Sequence, residues 1–247
     1  MATVLSGTSG ALYYKPAGTK STFKAANVTN GSNNIMVGTY LNFQVDDKVS
    51  FGTGTGGTLP AGLSDSTDVF IRTYTASTGI ATFASTAGGS ELALTDDGTD
   101  GTTPFTIDFA EHQSVGDCRQ WSFEITREEL DTTSIGGTLG QTAPFRTFIT
   151  GFADGSGSAT VYFTDDETTI ASRLIEDVIQ RKQAGANFKL YTDLTLSSGS
   201  PDDTASTSIE VPAVINSASF AVTPDDAQVI EISFRPTEAP TFDFDRS

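Results

Sequence analysis

Clusters of turn-forming residues interrupt this chain at intervals too short for a helical protein. In the first half, Gly52–Gly57, Pro60–Gly62, Gly88-Gly89 and Asp96–Gly101 are separated by short runs rich in β-branched and aromatic residues. Glycine and proline punctuate, and Val, Ile, Thr, Phe and Tyr fit a pleated strand, so these runs predict strands joined by turns. The candidates are Asp47–Phe51, Asp68–Tyr74, Ile80–Ala84, Glu91–Thr95 and Phe105–Phe109. With 37% hydrophobic and 10% aromatic residues, the chain of 247 residues can bury a sizeable core. The fold class expected is mainly β.

The pattern changes near Gln113. In Gln120–Thr126, Trp121, Phe123 and Ile125 alternate with Ser122, Glu124 and Thr126, the period-two signature of a strand with one buried face. Ala159, Val161 and Phe163 share a face in Ser158–Thr164, and Phe145–Thr150 is a further strand candidate. One helix is expected over about 166–184, because Ile170, Leu174 and Val178, widened by Ala171, Ile175 and Ile179, form an apolar stripe. Asp165, Asp166 and Glu167 suit its start, Arg181 and Lys182 its last turns, and Gly185 its end. Strands resume at Asn187–Leu196, Thr207–Val211, Ala213–Val222 and Val229–Phe234. Ser197–Ala205 is expected to be an exposed hairpin loop, and the chain after Pro236 and Pro240 an arm or disordered tail. Ala11–Lys15 reads as a short strand stopped by Pro16. Residues from about 22 to 112 therefore look like a small all-β module of their own.

The formal net charge of −17 disfavours a nucleic-acid binder or a ligand of anionic membranes, and it also suits ordinary solubility. No apolar run approaches the length of a membrane-spanning helix, and Met1–Gly10 lacks the features of a secretory signal, so synthesis in a cytoplasm without a membrane anchor is expected. One Cys leaves no disulfide within the chain. The acceptor sequences at Asn27 and Asn30 carry no meaning without export.

Most catalytic schemes fail for want of residues. His112 and Cys118, the sole His and Cys, are close in sequence but have no evident orienting third group, so they read as incidental. No nucleophile elbow, phosphate loop or zinc spacing occurs. Asp96-Asp97-Gly98-Thr99-Asp100-Gly101 crowds oxygen ligands, yet Gly98 and Ile107 occupy ligand positions of a calcium loop, so a turn is preferred. Asp154-Gly155-Ser156-Gly157 likewise reads as a turn. No catalytic, cofactor-binding or metal-ligating residue is assigned, and a non-enzymatic scaffold or binding role is expected.

A series of short segments adds a positive indication. Gly10–Tyr14, Trp121–Ile125, Asp131–Ser134, Gly151–Ser158, Phe188–Tyr191 and Ala218–Phe220, in this order, resemble tail tube proteins of long-tailed bacteriophages. The resemblance covers about residues 1–21 and 113–247. It implies a β-sandwich or barrel flanked by one helix, whose subunits form hexameric rings that stack into a conduit for genome delivery. It implies as partners further copies of the chain, the terminator, baseplate and tape-measure proteins and a possible sheath, with DNA as a non-binding passenger, in a virion tail made in a bacterial cytoplasm. The loop from Asp131 to Phe145 would contact a neighbouring ring, which makes Asp131, Thr132, Thr133, Ile135, Leu139 and Phe145 the contact candidates. Its length, glycines and apolar Ile135, Leu139 and Phe145 fit that role. Leu59–Leu63, Ala87–Gly89 and Leu92–Thr95 resemble a small β module found within many phage virion proteins. Such a module would project from the tube exterior. Acidic side chains on the lumen would repel DNA. The competing readings are a tail terminator or baseplate tube component, a carbohydrate-binding adhesin-like β protein with Phe70 or Tyr74 as stacking platforms, and a cell-wall glycosidase using two acids.

Overall fold

The computed structural model describes residues 9–131, 148–162, 171–221 and 228–245. The protein is mainly β with one described α-helix, as the turn density and period-two runs predict. Strand β1 (Ala11–Lys15) comes first, and then the chain builds a separate sheet. Its strands are β2 (Ser21–Phe23), β3 (Val28–Thr29), β4 (Asn34–Met36), β5 (Lys48–Gly52), β6 (Val69–Thr75), β7 (Ile80–Ala84) and β8 (Phe105–Phe109), in the order β2-β8-β5-β6-β7-β4-β3. Its first and last strands pair, Ser21 opposite Ile107, so the chain enters and leaves this sheet side by side. Phe23, Phe51, Phe83, Phe105, Ile35, Ile71 and Ile107 form its core. Glu91–Thr95, expected as a strand, contributes one isolated bridge, Ala84 to Glu91.

The remaining elements are β9 (Gln113–Ser114), β10 (Cys118–Asp131), β11 (Phe148–Tyr162), α1 (Ala171–Ile179), β12 (Asn187–Asp193), β13 (Leu196–Ser197), β14 (Ser200–Pro201), β15 (Thr207–Ala221), β16 (Val229–Pro236) and β17 (Thr241–Asp243). The main sheet runs β10-β11-β16-β15-β12-β1-β9, with β17 also on β15. Strand β15 serves two neighbours in succession: residues 207–212 pair with β12, and residues 213–221 pair with β16 after an irregularity between Ile215 and Ser217. The sheet thereby doubles over. Phe188 of β12 and Phe234 of β16, which are not neighbouring strands, stack with ring centroids 4.2 Å apart. Leu12, Tyr14, Phe188, Leu190 and Val211 from one half share a core with Val161, Ile230, Ile232 and Phe234 from the other, closed by Leu174 of α1.

Several local expectations need correction. Asp154-Gly155-Ser156-Gly157 is no turn but the middle of β11, a strand of 15 residues. The glycines are there for packing. A Cβ on Gly157 would lie 2.2 Å from the Phe234 ring, and one on Gly155 2.9 Å from Pro236 Cγ. Gly157→Ala is therefore expected to cost about 1–3 kcal/mol, the range for overpacking a core, and to lower the melting temperature accordingly. An unchanged melting curve would show that the ring can move aside. The helix ends at Ile179, so Arg181 and Lys182 lie beyond it, and Gly185 occupies a left-handed turn (φ +94°) that follows. Its predicted start, residues 166–170, lies outside the described residues. The C-terminal tail is ordered in part, since Thr241–Asp243 add to β15 as β17. The expected loop at Ser197–Ala205 is a hairpin, β13 to β14. No helix among the described residues is long and apolar enough to cross a membrane.

Candidate assembly surfaces

Strands β10, β11, β16 and the second half of β15 form a four-stranded antiparallel sheet. Alternation gives it two unlike faces. Ala159, Val161, Ile230, Ile232 and Phe234 point into the core. The opposite face is lined by small hydroxyls. Ser122, Ser158, Ser233 and Ser217 stand opposite one another across all four strands, and Gln120, Thr160, Glu231 and Ser219 form the adjacent row. Ser122 and Ser158 are hydrogen-bonded, Oγ to Oγ, at 2.9 Å. The charges interspersed here are few, Glu124, Asp154, Glu231 and Arg235, with Asp154 3.9 Å from Arg235, so the acidity of the chain is not concentrated on this face.

Both lateral edges of this sheet are open among the described residues. Strand β10 pairs with β11 alone, and residues 213–221 of β15 with β16 alone. Open edges display unpaired backbone donors and acceptors and usually are protected or used.

At one end, β10 and β11 outrun the rest of the sheet. Strand β16 covers β11 from Gly157 to Tyr162, whereas β10 and β11 stay paired to Asp131 opposite Phe148. The overhang is a two-stranded arm carrying Leu130, Phe148, Ile149 and Phe152, the last 88% exposed. A hydrophobic cluster of this kind in water is unusual unless another surface covers it. Of the contact candidates from the sequence, Asp131 sits at the end of this arm. Thr132, Thr133, Ile135, Leu139 and Phe145 lie outside the described residues. The exposed apolar residues of the arm itself are not among those candidates, because strand alternation predicts faces but not which face loses its cover. At the arm's base, Ile125, Ala153, Gly155, Pro236, Ala239 and Pro240 line an open, mostly apolar groove of about 380 Å³.

The chemically suggestive residues prove structural. Cys118 Sγ contacts the carbonyls of Gln120 and Thr160, and burial raises its thiol pKa. His112 instead lies 3.9 Å from Glu210 (Nε2 to Oε1), and burial lowers its pKa to about 4. A neutral imidazole and a protonated thiol on different partners do not make a nucleophilic pair. The carboxylates at 96–100 accept backbone N–H bonds: Asp96 from Ala61 and Gly98, Asp97 from Asn30, and Asp100 from Ala25. They brace turns, as expected of that composition. Among the described residues no group of three or more His, Cys, Asp or Glu is placed to hold a metal ion. Tyr74 is half-buried, its ring edge-to-face with Phe43 and its hydroxyl accepting from Leu41 N and donating to Gly38 O, so it packs as part of the fold.

One polar cluster lies outside anything the apolar stripe of the helix predicts. Arg173 and Asp177 are also buried, at 6% and 0% exposure. Asp177 accepts from Tyr14 Oη (2.7 Å), Ala17 N (2.9 Å) and Asn42 Nδ2 (2.6 Å). Arg173 pairs with Asp47 at 2.8 Å and donates to the Asn42 carbonyl. Their i, i+4 spacing is the available signal, since it sets both on one helix face. Burial pushes the Asp177 carboxyl up to about 6, outweighing these donors and Arg173, which pull it down. The folded state therefore holds this proton more tightly than the unfolded chain does. Its contribution to stability is complete below about pH 4 and is lost as pH rises through about 6, amounting to roughly 3 kcal/mol for about two pH units. The stability of the native chain relative to Asp177→Asn should fall over that window, measured by urea unfolding at each pH. A flat difference would place the carboxyl at an ordinary pKa.

No family model matches the sequence, and no curated protein matches it. Among solved structures, a chain of the virion of a native gene transfer agent particle is 17% identical, with a TM-score of 0.39, covering 53% of this chain and 88% of that one. A chain of the tail of the empty gene transfer agent particle, refined with C6 symmetry, is 18% identical (TM-score 0.39; 54% and 87% covered). The SPP1 tail tube protein is also 18% identical (TM-score 0.39; 56% and 71% covered).

Proposed function

We propose that this chain is a structural subunit that assembles into hexameric rings, stacked as the tail tube of a phage-like particle, through which the genome passes. The reading is carried by the four-stranded sheet with two open edges. Its strands alternate in direction and are even in number, so a rotated second copy brings β15 of one subunit beside β10 of the next in antiparallel sense. A head-to-tail contact of this kind closes into a ring and removes every edge. The ordered resemblance of Gly10–Tyr14, Trp121–Ile125 and Gly151–Ser158 to tail tube proteins supports the same reading. The arm of β10 and β11 then reaches toward the adjacent ring, and its apolar residues are covered there.

The hydroxyl face lines the lumen in this arrangement. A surface of hydrated Ser and Thr with few cations offers phosphates nothing to hold. The sheet β2–β8 is attached through α1, on the side away from that face, which supports the reading of residues 22–112 as an inserted module carried on the exterior. Purified protein is expected to form hollow rods or rings of uniform width when concentrated, seen by negative-stain electron microscopy. Monomers that persist at every concentration, and also when preformed tube ends are added, would sink the proposal.

A further inference from the structure

We infer that Arg173 and Asp177 are positioning residues: together they lock the β2–β8 sheet into a single pose on the doubled sheet, so that it is carried as a rigid projection rather than on a flexible tether. The two hydrophobic cores share no residue. Beside the buried Phe109, which belongs to neither core, the contacts that join them are polar and directional. From α1, the Arg173 guanidinium reaches Asp47 and the Asn42 carbonyl, and lies 5.7 Å from the centroid of the fully buried Phe109 ring. One turn later Asp177 takes the Asn42 side-chain amide while holding Tyr14 and the Ala17 N–H of the connecting segment.

Around this centre the contacts continue in the same style. Asn42 N donates to Gly18 O at 2.9 Å, Gln180 Nε2 to Tyr40 O at 3.5 Å, and Lys182 to Thr39 O. On the other side of the connection, Lys20 pairs with Asp108 at 3.6 Å. A greasy contact tolerates sliding, because apolar packing has little directionality. Buried charges that must keep specific partners do not, since any other pose strands them without hydrogen bonds. The lock therefore selects one orientation. On an assembled tube, which rests on the reading above, every copy would present the outer sheet at the same angle.

The test uses dispersed full-length chain, so it does not depend on ring formation. Spin labels go on Ala87→Cys, in an exposed turn of the outer sheet, and Glu231→Cys, on the hydroxyl face, in a Cys118→Ser background. Double electron–electron resonance should give one narrow distance distribution. Arg173→Met should broaden it by about twofold or more, the mark of several populated poses, while the label-free amide spectrum shows both cores intact. Should Arg173→Met fail to fold, Asn42→Ala decides alone, because it removes a partner of Asp177 from the outer sheet without unpairing an ion, and the same broadening is expected. A broad distribution in the parent, or variants as narrow as the parent, would overturn the lock.

Discussion

Replacing Ile149 and Phe152 together by glutamate should abolish rod formation and leave the subunit folded. Both residues are in the overhanging arm, 55% and 88% exposed, and belong to neither core. In the dispersed subunit the substitutions touch little, so the change in stability should stay within about 0.5 kcal/mol. In an assembled tube the same positions would be covered, and burying a carboxylate without a partner costs several times that amount per subunit. Repeated around each ring, such a penalty leaves no rods. The measurement pairs electron microscopy with thermal unfolding. Rods of normal length with a normal melting curve would show that the arm is not an assembly contact, and a collapsed melting curve would show that it supports the fold instead.

Removing one side of the buried lock should have the largest effect on stability. Asp177→Ala leaves the Tyr14 hydroxyl, the Ala17 N–H and the Asn42 amide without their acceptor and takes a carboxylate from beside Arg173. Arg173→Met leaves Asp47, 7% exposed, as a buried acid without its cation. Breaking a buried pair from one side typically costs about 3–5 kcal/mol, which for a chain of this size lowers the melting temperature by about 6–20 °C. Asp177→Asn is the informative contrast. An amide can still accept from Tyr14 and Ala17, and Asn42 can turn its own amide to match, so most of the stability should survive at neutral pH. If Asp177→Ala melts like the native chain, the cluster contributes nothing and the two sheets are held by other contacts.

Local chemistry in the sequence determined much of the architecture. The alternation of Trp121, Phe123 and Ile125 set a strand, although Trp121 and Phe123 are only half-buried against the core and Ile125 is exposed, and Phe105–Phe109 and Ile80–Ala84 form strands at the expected residues. The stripe at Leu174 and Val178 set a helix that packs on the sheet. These features depend on the periodicity of side chains along the backbone, which neighbouring residues fix by themselves. Composition acts just as directly on the chemistry, since a single His and a single Cys leave few nucleophilic or metal-binding schemes open to the chain.

Other features belong to the tertiary structure alone. Asp154–Gly157 has the composition of a turn, yet it is strand, because the Phe234 ring and Pro236 occupy the space that side chains would fill. The tail after Pro240 is polar in composition, yet β15 offers it an edge to pair with. Arg173 and Asp177 lie off the apolar stripe of the helix, yet they are buried against partners from the second sheet and its connection. The open edges of β10 and of β15 beyond Pro212 follow from which strands pair, and the overhang that exposes Phe152 from where β16 stops. In each case the deciding partner is distant in the chain, and a burial or a strand pairing fixed by such a partner leaves no periodic trace in the residues it acts upon.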